Sequence, residues 1–503
     1  MFMDFIDILA IFMNVTVIIQ LLLGVIMGIV FGAIPGLNTI MALALALPLT
    51  YNMEMLPAIG FLIAVYCGGL SGGSIAAILL NIPGTSAVVT TTFDGYPMSI
   101  KGESMRALSL GIIASFIGGI ISTIILSLLT SILASFALGF GPWEYFGAAV
   151  LSLALISTLI DGDLINGFIA TFLGIFLAMV GTDPVESVAR YTFGSTELTA
   201  GIDIIVVIIG VFALSEIIYN TNQNKTLKSI SSNDFKFDKF LLALKETITL
   251  LPNIIISSVI GVILGILPGL GGGTASIMAY ARAKMASKHK EEFGKGSAEG
   301  LVAPEAAKNA VSGGALIPAI ALGVPGSAPV ALIMSAFLIH GVTIGPMVLK
   351  EEPHILQGII ISLIIANIFM FLSQVILIKY FAMVITVPKY ILYPIIAVFC
   401  VIGTFVISSS VFNVFLMLIL AVVGILCSKN KIPTAPIIMG FTLGKTVETY
   451  FRKAMISFDG SFIDAYIGSP VGSVFVTLAI IIPIFVIVKR IIGANKKIKG
   501  ASV

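Results

Sequence analysis

GGSIAAILLNIPGTSAVVTTTFDG, residues Gly72–Gly95, and its echo GGALIPAIALGVPGSAPV, residues Gly313–Val330, decide how the rest of the chain is read. Each runs from a glycine pair through a short apolar segment to a Pro-Gly break, then into small or hydroxyl side chains. From Gly73 to Pro83 is 10 positions and from Gly314 to Pro325 is 11, so one gap aligns them. About eight apolar residues at 1.5 Å rise make roughly 12 Å of helix, under half of a ~30 Å hydrocarbon core. Neither run crosses a bilayer alone. Both are expected as half-helices of re-entrant hairpins, near 71–95 and 311–340, with the function at the broken tips.

The chain around them is that of a polytopic membrane protein. Of its 503 residues 58% are hydrophobic and 10% charged, and the mean hydropathy is +1.13, whereas a soluble domain carries about a quarter charged residues. Cys67, Cys400 and Cys427 lie in or beside apolar segments and form no spaced pair, which speaks against a disulfide framework or structural zinc. His289, His340 and His354 make no metal-ligand pattern. The first residues, MFMDFIDILAIF, carry acids where a cleaved signal peptide carries bases, so this segment is read as the start of the first span. No HExxH, GxSxG or nucleotide-binding loop occurs, GGGTAS at Gly271–Ser276 lacks the phosphate-loop lysine, and nothing resembles a nucleic-acid surface. The candidate spans number about 12–14.

The two halves repeat. GIVFGAIPGLN at Gly28–Asn38 matches GVILGILPGLG at Gly261–Gly271, setting Pro35 against Pro268 ahead of the hairpin pair. Interrupted apolar segments at corresponding positions mark transporter binding sites. The loop Thr50–Leu56 has one acid and no base, but its counterpart Ala281–Gly296 holds Arg282, Lys284, Lys288, Lys290 and Lys295. By the positive-inside rule the second is cytoplasmic and the first external, so the repeats are inverted. The expected fold is an all-α polytopic membrane protein: a first repeat 1–219, a Lys-rich cytoplasmic connector 220–246 and a second repeat 247–503. Strict inversion leaves the C-terminal KKIKG outside although its charge prefers inside, and both placements stand.

At the tips Thr85 and Ser86 follow Pro83-Gly84, and Ser327 follows Pro325-Gly326. A new helix starting there presents unpaired N–H donors and the positive end of its dipole, and holds a carboxylate without a basic side chain. Asn81, Gly84, Thr85, Ser86, Gly326, Ser327 and Asn309 are the expected substrate-binding residues. The plainer alternative is that Pro-Gly only kinks a long helix. Unwound backbone at the Pro35 and Pro268 breaks, with Asn38, Thr39 and Thr274, offers neutral oxygens to a coupling cation, and the alternative there is close packing of glycines. Glu305 and Lys308 stand three apart on one helical face, either as a coupling or gating carboxylate beside Asn309 or as a membrane-surface ion pair. Asp94 is expected to cap a turn beside the first hairpin, and Trp143 to anchor a span at the interface. Glu216, Lys379, Lys389, Glu448 and Arg452 read as snorkelling residues at span ends.

With these motifs in order, the chain resembles the TctA family, the large membrane subunit of the tripartite tricarboxylate transporters. The likeness is carried by GAIPGLN, by GGSIAAILLNIPGTSAVVTTTFDGYPM and by FGKGSAEGLVAPEAAKNAVSGGALIPAIALGVPGS, with Lys308 standing where the family pattern favours an asparagine. The resemblance implies secondary active uptake of a di- or tricarboxylate, citrate-like, coupled to Na+ or H+, in the cell membrane of a prokaryote. It also implies a small membrane subunit and an extracytoplasmic solute-binding protein as partners, with no other cofactor and no enzymatic activity. An elevator-type motion is favoured by the long segments 104–137 and 354–388. The rival readings are a receptor-independent symporter, a passive anion channel and a membrane-embedded enzyme.

Overall fold

The computed structural model describes residues 5–159, 164–183, 186–220, 237–384 and 389–500. Among them helices account for nearly everything, and the one strand pair joins Gly181–Thr182 to Ala189–Arg190. Among the described residues, seven helices are long and apolar enough to cross a membrane, and five shorter apolar helices accompany them. This is fewer full-length crossings than the segment count suggests, because several segments form apolar helices too short to cross alone, such as Thr39–Thr50, Leu164–Ala178 and Ile204–Tyr219. The first hairpin's apolar run is the end of one continuous helix, Met55–Leu80, of 26 residues, and the second's is the end of Ala298–Leu322, of 25. The half-helix expectation is therefore corrected: each tip lies between a long helix and a short one. The first span is also shorter than read, because Asn14 separates the Phe5–Met13 and Val15–Ala33 helices and caps the second by accepting from Thr16 N–H at 2.9 Å. Most of the connector, 221–236, lies outside the described residues, and its end at 237–246 opens the Phe237–Ile266 helix.

The glycine pairs do not break the helices because they are packing surfaces. A Cβ on Gly28 would stand 2.2 Å from the Val65 carbonyl oxygen, and one on Gly68 2.3 Å from that of Val25. Gly32 faces Gly69, and Gly72 faces Ile29, in the same way. Small residues four apart let the Val15–Ala33 and Met55–Leu80 backbones touch. In the second half Gly261 meets the Ala307 carbonyl and Gly314 that of Val262, pairing Phe237–Ile266 with Ala298–Leu322. The Met55–Leu80 helix is 94% buried over its apolar window, so it is a core element rather than a lipid-facing one.

The long helices that follow the hairpins are exchanged between halves. Ser104–Ala137 lies on Ala298–Leu322, where Gly118 meets the Ala306 carbonyl, and His354–Val384 lies on Met55–Leu80, where Ser71 donates to Gln374 Oε1 at 3.2 Å. The loops pair crosswise too. Lys101 Nζ donates to the Lys295 carbonyl at 2.6 Å, Arg106 grips Glu246, and His340 Nε2 lies 3.0 Å from the Met53 carbonyl.

By internal packing the chain forms two compact units, Met1–Ser135 with Ile205–Ile425, and Phe136–Ile204 with Leu426–Val503. The first holds all four Pro-Gly breaks. In the second, Trp143 is fully buried, donates to Ser473 Oγ at 3.2 Å and packs on Phe146 and Phe462. Its expected role as an interfacial anchor is thus overturned: Gly472 on the facing helix leaves room for the ring, since a Cβ there would stand 2.6 Å from the indole. Glu448 and Arg452 do not snorkel either, but join Asp183 and Arg190 in an ion-pair network. There the Glu448 carboxylate, hydrogen-bonded to Arg190, holds that guanidinium above its ordinary pKa.

Candidate functional site

The two tips share their backbone course. Two residues before each proline the chain turns left-handed, at Asn81 (φ 56°) and Gly323 (φ 71°), ending the long helix. Two residues after it the chain is extended, at Thr85 (φ −142°) and Ser327 (φ −157°), where the next helical segment begins. The preceding pair of breaks matches as well, with Gly36 at φ 93° and Gly269 at φ 85°. Glycine tolerates this conformation without strain, whereas Asn81 is one of the few other residue types that adopt it readily.

Neither Thr85 nor Ser327 makes a side-chain cap bond. At Ser327, Pro329 occupies the second helical position and removes one of the two N–H groups a cap side chain can use, leaving only that of Val330. Among the described residues the Ser327 hydroxyl oxygen is buried and has no hydrogen-bond partner at conventional distance, though the Tyr66 hydroxyl lies toward it. The tips differ in exposure. Asn81, Pro83 and Ser86 are exposed, with Gly84 and Thr85 half-buried, while Val324, Pro325 and Gly326 are buried.

Each tip is held by the other break of its half and by a helix of the opposite half. Gly326 accepts from Gly269 N–H at 3.3 Å, and its own N–H donates to the Ala315 carbonyl at 3.3 Å. Ser276 donates to the Ala87 carbonyl at 2.8 Å, and Ser86 lies against Gly273. Ser276 was invisible to sequence reasoning, since a serine inside an Ala/Gly-rich helix start carries no pattern of its own. Thr274 is half-buried in that helix. Asn38 spends its side-chain oxygen on capping the Thr39–Ala46 helix, accepting from Met41 N–H at 3.0 Å, while Thr39 is buried against Gly69.

Glu305, Lys308 and Asn309 form a separate focus near the first tip. Glu305 and Lys308 are fully buried, which excludes the membrane-surface ion pair. Glu305 Oε2 accepts from Ser74 at 2.8 Å and Ser115 at 3.0 Å, and Oε1 from Thr91 at 2.6 Å. Lys308 Nζ stands 3.0 Å from Oε1 and 2.8 Å from Oε2, and also donates to the Ser74 hydroxyl. Asn309 donates to Ser115 Oγ at 2.7 Å. Through Gly272 this focus adjoins Ala87 of the first tip. Asn309 lies six positions, about 9 Å of helix, before Ala315, whose carbonyl accepts from Gly326 N–H, and its amide is engaged with Ser115 and the Glu305 carbonyl. The three hydroxyls that serve Glu305 come from helices far away in the sequence and could not be picked out as its partners there.

Asp94 does cap, but across the halves. Its Oδ1 accepts from the N–H groups of Gly294, Gly296 and Ser297 at 2.8–2.9 Å, and its Oδ2 from the Tyr280 hydroxyl at 2.9 Å. It thereby secures the start of the Ala298–Leu322 helix, on which Glu305 and the second tip depend.

A family profile described as the tripartite tricarboxylate transporter TctA family matches residues 18–439. An uncharacterized 52.8 kDa protein of the TAR-I ttuC' 3' region of Agrobacterium vitis is 34% identical over 439 residues, 87% of each chain. An uncharacterized protein of the TAR-II ttuC' 3' region of the same organism is 36% identical over 196 residues, 39% of this chain and 81% of that one. No solved structure matches.

Proposed function

The chain belongs to the tripartite tricarboxylate transporter TctA family, and from that premise we propose that it imports an organic anion, a citrate-like di- or tricarboxylate, held between the two Pro-Gly tips. Family membership makes it a multi-pass membrane protein with a transport role and with partner subunits. The proposal adds the substrate class, the cell membrane as location, a Na+ or H+ gradient as driving force, and delivery by an extracytoplasmic solute-binding protein beside a small membrane subunit.

The observation that carries it is the matched pair of tips, above all Ser327, which makes no side-chain cap bond at the start of its helix and has the Tyr66 hydroxyl toward it. An incoming carboxylate would accept from the Ser327 hydroxyl and from the free N–H groups of that helix. Neither tip segment contains Arg or Lys, so the anion is held with moderate strength and is released on the far side. The crosswise pairing of loops and long helices supports inverted repeats, which require each half's entry loop to lie beside the other's exit loop. The unequal exposure of the tips supports alternating access, with one gate open and one shut. The cycle is of the elevator type, with a module carrying the breaks moving against the remaining helices.

Reconstitution tests this reading. Proteoliposomes containing the chain and its candidate partner subunits should accumulate labelled citrate or a related carboxylate against its gradient when a Na+ or H+ gradient is imposed. Equilibration without accumulation would mark a channel, and no uptake of any di- or tricarboxylate under either gradient would remove the proposal.

A further inference from the structure

The Glu305–Lys308 pair is neither a surface pair nor a part of the tips, and its donor set is that of a cation site. A carboxylate and clustered hydroxyl oxygens are what a hard monovalent cation seeks. Here the cation is supplied by the chain. The Glu305 carboxylate has about four acceptor positions, and Ser74, Thr91, Ser115 and Lys308 between them occupy its two oxygens. The ammonium is a compact point charge, touching both carboxylate oxygens and the Ser74 hydroxyl at full burial. The equivalent place in the first half carries no such pair. With Gly73 set against Gly314, the counterparts of Glu305 and Lys308 are Ala64 and Cys67, both buried and neither charged.

We propose that the Lys308 ammonium is a tethered cation that permanently fills the oxygen cage of Glu305, so that this site binds no exchangeable Na+. The inference rests on the transporter reading only for its consequence: a coupling ion, if it is Na+, enters at the Pro35 and Pro268 breaks and not at Glu305. Removing the ammonium while keeping the carboxylate leaves a buried, uncompensated negative charge, a costly state that an inorganic cation relieves. Lys308→Ala therefore converts the cage into a Na+ site.

The test is apparent Tm of the purified chain in detergent, titrated with NaCl against choline chloride, and requires no transport. Lys308→Ala should gain a saturable, Na+-specific rise of about 2 °C or more that Glu305→Gln/Lys308→Ala lacks. Glu305→Gln/Lys308→Met, which deletes both charges, should show the same Na+ response as the unaltered chain. A folded Lys308→Ala without that rise would overturn the proposal, as would loss of a native Na+ response in Glu305→Gln/Lys308→Met. If Lys308→Ala does not fold, the second comparison decides alone. Failure of citrate uptake, by contrast, touches only the functional reading.

Discussion

At the level of one side chain, the proposed anion site rests on Ser327 and its counterparts. A hydrogen bond to a charged group is worth roughly 1.5–3 kcal/mol, and the Ser327 hydroxyl makes no helix-cap bond. Ser327→Ala should weaken carboxylate binding about tenfold or more, and Ser86→Ala should also weaken it. Ser127→Ala, on a long helix away from both tips, should leave it unchanged. Isothermal titration with citrate reads this, and equal effects at all three positions would remove the tip assignment. Asp94 works on stability instead. Asp94→Ala strips an acceptor from three backbone N–H groups and Tyr280 and should cost about 3 kcal/mol. Asp94→Asn keeps a carbonyl oxygen for the N–H groups and should recover part of the loss, seen as an intermediate apparent Tm.

Among the elements, glycine faces govern. The Val15–Ala33 and Met55–Leu80 helices meet backbone to backbone, and no side chain fits where Gly28 and Gly72 stand. Because a carbonyl oxygen, not a movable side chain, blocks the way, relief needs a shift of the whole helix. Gly28→Leu and Gly72→Leu should each destabilise by about 3 kcal/mol or more and reduce the yield of folded protein in detergent. Gly345, with extended backbone and open space around it, should accept Gly345→Ala without loss. Monodispersity on size exclusion separates the two outcomes. The glycine pair at Gly72 was expected at the start of a half-helix, because glycine serves packing and breaking equally well. Only the neighbouring carbonyls decide between the two uses.

For the whole molecule, the prediction concerns sidedness. Cysteines introduced at Asn52 and Lys288 should label from opposite faces of the membrane, and the native Cys67, Cys400 and Cys427 are all buried and should stay silent. Labelling of both from one face would refute inversion, whatever the substrate proves to be. At this scale local chemistry was a good guide. Apolar composition announced the membrane, and Pro-Gly pairs announced backbone breaks, since proline withholds an N–H and glycine alone adopts positive φ freely. The matched order of these breaks is therefore a property of the sequence by itself. Which residues lie together was decided by tertiary structure alone. Ser74, Thr91 and Ser115 converge on Glu305 from three helices, Asp94 reaches over 200 positions to cap another half, and Trp143 enters a core instead of the lipid interface. Burial and pairing depend on what the rest of the chain places opposite a residue, and that information is absent from any single stretch.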